Sequence, residues 1–265
     1  MSLYIFDLDG VIYRGGEKLL PGAEQALSFL KERGEEICFL SNNSTLSRSG
    51  YVKRFTRLGI RTHPVNFFPS SYLAAIYFTE NEERKNGKVL VIGEEGLFEE
   101  LKEAKVKITS NPEEASYVVA GMDWKFNFEK LCLAHKAILK GAKFIATNID
   151  LTFPVEEGTL PGAGAIIKAI EASTGKSPLL LGKPETFGIE TVMKKRGYSP
   201  EDTILIGDRL ETDILAGKRA GAVTVLVLSG ITRREDLKKA PPSHQPDYII
   251  SSLREFPSLI ISGKY

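Results

Sequence analysis

Leu3-Tyr4-Ile5-Phe6 is an unbroken apolar run that ends in Asp7-Leu8-Asp9-Gly10, and no other feature constrains the fold so tightly. A continuous apolar run of this length reads as a strand buried on both faces, the kind found in a parallel sheet covered by helices. Residues at i and i+2 of a strand share a face, so Asp7 and Asp9 can act on one bound group while Leu8 packs away from it. Two neighbouring carboxylates repel, and the pair is costly unless a cation or a proton sits between them. Chemistry or a metal is the leading explanation. The ordinary alternative is a turn or helix cap opened by Asp and Gly.

Further pieces follow in order along the chain. Ile37-Cys38-Phe39-Leu40 runs into Ser41-Asn42-Asn43-Ser44, a cluster of hydroxyl and amide donors suited to phosphate oxygens. Leu179-Leu180-Leu181 leads into Gly182-Lys183-Pro184, which supplies a cation in a turn where proline blocks continuation of a ladder. Thr203-Ile204-Leu205-Ile206 ends in Gly207-Asp208-Arg209-Leu210-Glu211-Thr212-Asp213, a second carboxylate pair at a strand end. Asp208 and Asp213 read as metal ligands. In an open parallel sheet, ligands bind beyond the carboxyl ends of the strands, so the four segments converge on one place. Each has an ordinary explanation when taken singly. Ser41 to Ser44 can cap the helix that follows, Lys183 can be a solvated lysine, and Asp213 can favour a first helical turn. Taken in order, each after an apolar run, coincidence accounts for them poorly.

The intervals between these pieces predict the organisation. Strand-like stretches at 3–8 and 37–41 alternate with helix-like ones at 22–33 and 47–58, which is the grammar of a doubly wound α/β sheet. Residues 10–20 form a short irregular excursion, consistent with a hairpin beside the first carboxylate loop. A helix over 71–79 precedes a charged connector, 81–87, and the alternation restarts at 88–92, 96–104, 117–120, 128–139, 143–146 and 163–174. This second set carries none of the four polar clusters. The expected division is a core of residues 1–80 and 179–265, with strands at 223–228 and 248–250, and an inserted α/β cap of residues 81–178.

Composition restricts the function classes. Lys and Arg total 35 against 34 Asp and Glu, a net charge of +1, and no basic block points to nucleic acid. No run reaches the roughly 18 apolar residues of a membrane span. The amino terminus runs straight into the first strand without a basic segment, long apolar stretch or cleavage site. Cys38 and Cys132, the two cysteines, both fall in apolar segments and read as free thiols of a reducing compartment. The expectation is a cytoplasmic protein.

On Asp7-Leu8-Asp9-Gly10-Val11, Ser41-Asn42-Asn43, Gly182-Lys183-Pro184 and Gly207-Asp208-Arg209 through Asp213, the chain resembles the haloacid dehalogenase superfamily of phosphotransferases. Phe39 to Ser44, Ala146-Thr147-Asn148-Ile149-Asp150, Leu160-Pro161-Gly162-Ala163-Gly164 and Ile170 to Gly175 resemble its NagD-type nitrophenylphosphatase branch, whose cap is α/β. The resemblance covers nearly the whole chain. Ser41 stands where threonine is common, and Phe68-Pro69-Ser70-Ser71 where a threonine-serine pair is usual; neither removes a catalytic group.

The resemblance implies hydrolysis of a phosphomonoester through an aspartyl phosphate. Asp7 would be the nucleophile. Asp9 would protonate the leaving alcohol and then activate water, which requires it to hold a proton part of the time. Mg²⁺ suits hard oxygen ligands, and those implied are Asp7, Asp208 and the backbone carbonyl of Asp9, with Asp213 a ligand or just behind one. Ser41, Asn42 and Lys183 would complement the phosphoryl charge. Asn43, Asn148 and Asp150 would contact substrate, with 121–123 beside them, although Asn and Asp after strands are also ordinary turn residues. Arg209 suits a substrate contact or an ion pair equally, and Trp124 suits packing or stacking on a substrate ring. The expected partner is a small phosphate ester: a nucleotide, sugar phosphate, phosphoglycolate, pyridoxal phosphate or aryl phosphate. A cap-mediated homodimer is compatible with the resemblance.

Competing functions leave different marks. A dehalogenase needs no acid two residues after its nucleophile, and Asp9 argues against it. A phosphomutase shares the four motifs but usually has a helical cap. A ligand-binding or regulatory member that had lost turnover would be expected to lack Asp7, Asp9 or Lys183, and all three are present.

Overall fold

The computed structural model describes residues 1–15, 18–154 and 158–262. Their contacts form two compact units, one of residues 1–41, 52–67 and 183–265, the other of residues 42–51 and 68–182.

The first unit is built on a six-stranded sheet. Its order is Tyr248–Ile250, Val223–Val227, Thr203–Gly207, Leu3–Phe6, Glu36–Ser41 and Phe67–Pro69. Leu3–Phe6 is no more than 1% exposed at any residue, as an apolar run buried on both faces requires. It pairs in parallel with Thr203–Gly207 on one side and Glu36–Ser41 on the other, with Phe6 level with both Ile206 and Phe39. The three strands therefore end within two residues of one another. Numbered along the chain, the strands lie in the order 6-5-4-1-2-3, so the winding reverses between Leu3–Phe6 and Thr203–Gly207. That reversal is where doubly wound sheets bind ligands. Packing below it is aromatic: Phe39 stacks on Phe67 at 5.0 Å and meets Phe55 at 4.8 Å, while Phe256 lies 5.7 Å from Phe6. The excursion after the first strand contains an antiparallel pair, Tyr13–Arg14 with Lys18–Leu19; its residues 16 and 17 lie outside the described residues. Residues 263–265 of the expected core also lie outside them.

The second unit carries its own parallel sheet, ordered Leu179–Leu180, Lys143–Ala146, Tyr117–Ala120, Lys88–Ile92 and Lys107–Ile108. Helices Phe128–Leu139 and Ala163–Thr174 place Ala134, Ile138, Ile167 and Ile170 against Leu90, Val118 and Phe144 in one core. A two-stranded antiparallel pair, Thr152–Pro154 with Thr159–Pro161, precedes the second of these helices; residues 155–157 between its strands lie outside the described residues.

The unit boundaries differ from those expected at 80/81 and 178/179. Helix Ser70–Thr79 packs on helix Glu95–Glu103 of the second unit. Residues 42–51 are tied to the same unit: Gly96 N–H donates to Thr45 O at 3.2 Å, Ser71 Oγ donates to Leu46 O at 2.7 Å, and Arg48 pairs with buried Glu100 at 3.0 Å. Burial pushes the Glu100 carboxyl above its ordinary value although Arg48 opposes it. A Cβ at Gly96 would lie 2.2 Å from the Leu46 carbonyl carbon, so the close approach of these segments needs glycine there. At the other boundary, Leu179 and Leu180 pair with Ile145 and Ala146, and the first unit resumes at Lys183.

Local differences have local causes. The expected connector at 81–87 contains a helix, Glu82–Asn86, because Asn81 caps it by accepting from Arg84 N–H at 3.1 Å and Glu82 and Glu83 fill its first turn. Helix Phe187–Arg196 and strand Phe67–Pro69 were not anticipated, and the helical turn open to Asp213 is a wide π-type turn, Leu210–Ile214, ahead of helix Leu215–Ala220. Cys38 is buried and Cys132 half-buried, and both are free thiols.

Candidate active site

The neighbouring carboxyl ends of the three strands deliver the candidate groups. Asp7 follows Phe6 directly, its N–H donating to Ile206 O at 2.8 Å, and Asp208 follows the end of Thr203–Gly207. Ser41 is buried at the end of Glu36–Ser41.

Lys183 joins these strand ends. Its Nζ lies 2.6 Å from Asp7 Oδ1, 2.6 Å from Asp213 Oδ1 and 3.2 Å from the Leu40 carbonyl. Burial alone would lower the lysine, but the carboxylates of Asp213 and Asp7 outweigh it and hold its pKa above the ordinary value. Lys183 is therefore a fixed cation.

One cation is too few for this cluster. Carboxylate oxygens of Asp7, Asp208 and Asp213 lie within 4.8 Å of one another, and all three residues are buried. With all of them ionised, three carboxylates against one ammonium leave two negative charges over. Accordingly, burial raises Asp7 well above the usual carboxylate range despite Lys183, with Asp213 and Asp208 adding to the rise. Asp208 is pushed up to about 7, by burial first and then by Asp213. Three buried carboxylates this close together suit a divalent cation, and an all-oxygen donor set fits Mg²⁺.

The backbone is shaped to hold these carboxylates still. The π-type turn brings Asp213 back so that its Oδ2 accepts from the N–H groups of Asp208 and Arg209, at 3.2 and 3.0 Å. Such wide turns recur at functional sites. Asp208 Oδ2 accepts from Ile231 N–H at 2.8 Å. A Cβ at Gly10 would lie 2.4 Å from that oxygen, and one at Gly230 would lie 2.0 Å from it. Glycine at both positions leaves the space this carboxylate occupies.

Asp9 stays apart from the acidic triad. Its carboxylate is half-buried and accepts from the Gly15 backbone. Burial pushes it up to about 6, against the opposing charges of Arg54 and Arg209. A carboxyl group with that pKa exchanges protons near neutrality, as a general acid and base must. Arg209 forms no ion pair among the described residues.

The remaining expected residues cluster in the second unit. Asn42 is buried, and its amide nitrogen lies 3.3 and 3.2 Å from the two Asp150 carboxylate oxygens. Asn148 is buried and donates to Asn42 O at 2.7 Å. Asn43 Oδ1 accepts from Thr45 N–H and Oγ1 at 2.9 and 2.7 Å, a local turn. Asp123 pairs with Lys130 at 2.5 Å, and Trp124 is 57% exposed, edge-on to Phe153 at 5.5 Å.

Several contributors escaped the sequence reading: Arg54 near Asp9, the Leu40 carbonyl on Lys183, and Gly230 with Ile231 around Asp208. Ser229-Gly230 after the strand Val223–Val227 was a readable signal, since glycine at a strand's carboxyl end often marks close approach. Arg54 carries no such mark.

Haloacid dehalogenase-like hydrolases match residues 4–107, and a second hydrolase family of the same superfamily matches residues 180–256. Phosphoglycolate phosphatase 1A of Arabidopsis thaliana is 36% identical over 97% of this chain and 76% of its own length. The solved p-nitrophenyl phosphatase from Archaeoglobus fulgidus is 38% identical, with a TM-score of 0.90 over 97% of this chain and 98% of that one. The glycerol phosphate phosphatase of Mycobacterium tuberculosis, solved in complex with magnesium, is 29% identical, with a TM-score of 0.88 over 96% of this chain and 75% of that one.

Proposed function

Because the chain belongs to the haloacid dehalogenase-like hydrolases and is a phosphatase, we propose that it hydrolyses small phosphomonoesters in two steps with Asp7 as nucleophile. The observation that carries the reading is the placement of Asp7, which meets Lys183 at 2.6 Å within an acidic triad at the strand ends.

In the first step an Asp7 carboxylate oxygen attacks phosphorus in line, and the bond to the leaving alcohol oxygen breaks as Asp9 gives that oxygen its proton. In the second, Asp9 takes a proton from water, the water oxygen attacks the phosphorus, and the bond to Asp7 breaks, releasing inorganic phosphate and restoring the carboxylate. Lys183 holds Asp7 in place and offsets charge on the phosphoryl oxygens, to which Ser41 and Asn42 donate. Asp7, Asp208 and the Asp9 carbonyl would hold Mg²⁺, with Asp213 beside them. Mg²⁺ bound there supplies positive charge against the phosphoryl oxygens.

The relatives' names support a substrate class. They agree on a phosphate ester and differ in the alcohol, so the proposed substrates are small metabolites such as phosphoglycolate, a sugar phosphate or a nucleotide, with nitrophenyl phosphate as an artificial one. No helix among the described residues is long and apolar enough to cross a membrane.

The purified protein should hydrolyse nitrophenyl phosphate only with a divalent cation. Chelation abolishes turnover and added Mg²⁺ restores it; full turnover in metal-free buffer would overturn the assignment.

Asp9→Asn keeps the nucleophile and loses the proton transfer, an effect of about 10² to 10⁴ in rate. The loss should be smaller for nitrophenyl phosphate, whose leaving group departs without help, than for an alkyl phosphate. Equal losses on both esters would remove Asp9 from the role of general acid.

A further inference from the structure

Asn42 is held by partners far from it in the chain. Its amide nitrogen faces both oxygens of Asp150, 108 residues away, and its carbonyl accepts from Asn148 Nδ2 at 2.7 Å and Ser70 Oγ at 2.5 Å. The Asp150 N–H donates to Asn148 Oδ1 at 3.2 Å, so the two holding residues also brace each other. A carboxylate only accepts, which turns the amide nitrogen of Asn42 toward Asp150. The amide oxygen lies toward Gly182, where a Cβ would come within 2.6 Å of it and within 2.5 Å of the Thr147 carbonyl. Glycine at 182 leaves room for that orientation, and a side chain there would collide with it.

We propose that Asp150 and Asn148 are positioning residues that clamp the phosphate-binding Asn42, and that they act on every substrate alike instead of reading the leaving group. The inference rests on the phosphatase reading, in which Ser41-Asn42 meets the phosphoryl oxygens. Donors aimed in advance at developing charge are worth more than donors that must first be ordered. Without Asp150 the Asn42 amide gains a rotational freedom that must be lost again in each turnover. The phosphoryl group is common to all substrates, so the loss is common too. A residue that touched the leaving group would discriminate among alcohols and ignore free phosphate.

Inorganic phosphate is therefore the deciding probe, because it has no leaving group. Wild type, Asp150→Ala, Asp150→Asn and Asn148→Ala are compared in kcat/KM for nitrophenyl phosphate and for a nucleoside monophosphate. Binding of inorganic phosphate with Mg²⁺ is measured by calorimetry, which reads the clamp even where turnover is too slow to follow. Losing a charge-assisted hydrogen bond, Asp150→Ala should lower kcat/KM by about 10- to 100-fold on both esters and weaken phosphate binding in parallel. Asp150→Asn keeps one acceptor oxygen and should fall between it and wild type. The same change made on an Asn42→Ala background should cost little more, since the group being positioned is already gone. That lack of additivity separates positioning from general support of the fold, and Asp150→Asn carries the comparison should Asp150→Ala unfold. The proposal is overturned by an ester-selective loss with unchanged phosphate binding, by full additivity with Asn42→Ala, or by wild-type behaviour of all three variants. Absent turnover in wild type would count against the phosphatase reading, while the phosphate-binding comparison would still decide the clamp.

Discussion

Asp7→Asn should lower turnover of nitrophenyl phosphate by about 10⁴-fold or more, because an amide oxygen cannot replace the carboxylate in the proposed attack on phosphorus. Protein quenched in acid during turnover should carry phosphate on Asp7 in wild type and none in the variant. The variant should also remain folded, and the direction of its stability change is informative. Burial, with help from Asp213 and Asp208, raises Asp7 despite Lys183. A carboxylate whose folded pKa lies above its unfolded value is a cost to the fold once pH exceeds that unfolded value, here the ordinary 3.8. Removing the charge relieves that cost at neutral pH. In metal-free buffer the unfolding midpoint of Asp7→Asn should equal or exceed that of wild type. Turnover of the stable variant above a hundredth of wild type would exclude Asp7 as nucleophile.

Lys183→Met should produce the opposite change in stability. The ammonium sits 2.6 Å from both Asp7 and Asp213, and its side chain and that of Asp213 are each 2% exposed. Removing one partner of a buried pair leaves uncompensated charge, at a cost of about 3–5 kcal/mol. Turnover should fall about 10²- to 10³-fold with the loss of a cation aimed at the phosphoryl group. The pH dependence follows from the sign. Lys183 has a raised folded pKa, so its stabilisation is fully present below the ordinary lysine value of 10.5 and disappears only as pH rises through the still higher folded value. The stability gap between wild type and Lys183→Met is therefore full at neutral pH. It shrinks in acid, where Asp7, already raised by burial and now without its ammonium, takes up a proton, and it narrows when Mg²⁺ is added. Denaturant unfolding at several pH values, with and without Mg²⁺, measures this; a gap that is absent at neutral pH or that grows in acid would refute the role given to Lys183.

These two variants concern the part of the site that the chain announces most openly. Leu3–Phe6 and Thr203–Gly207 are apolar runs that stop at carboxylates, and the stop is a local property visible without the fold. The same holds for the alternation of strands and helices. Tyr117–Ala120, Phe128–Leu139, Lys143–Ala146 and Ala163–Thr174 lie where their periodicity puts them, because burial of an apolar face selects the period. Where local signals compete, composition and structure part. The charged stretch at 81–87 reads as a solvated connection by composition, yet Asn81 and two glutamates make its middle a helix. Leu179–Leu180 is a strand by pattern, but nothing in it says which of two parallel sheets it joins.

By itself, then, the sequence determined the strand ends, the residue types placed on them and hence the chemistry open to this protein. Tertiary structure alone decided which of those groups meet. The π-type turn that returns Asp213 to Lys183, the glycine cradle around Asp208 and the clamp of Asp150 on Asn42 depend on register and on contacts between distant segments. Periodicity is encoded by near neighbours, whose side chains share one face of one element. Contacts across 108 residues are fixed only when whole strands and helices have packed, and so they leave no period in the chain.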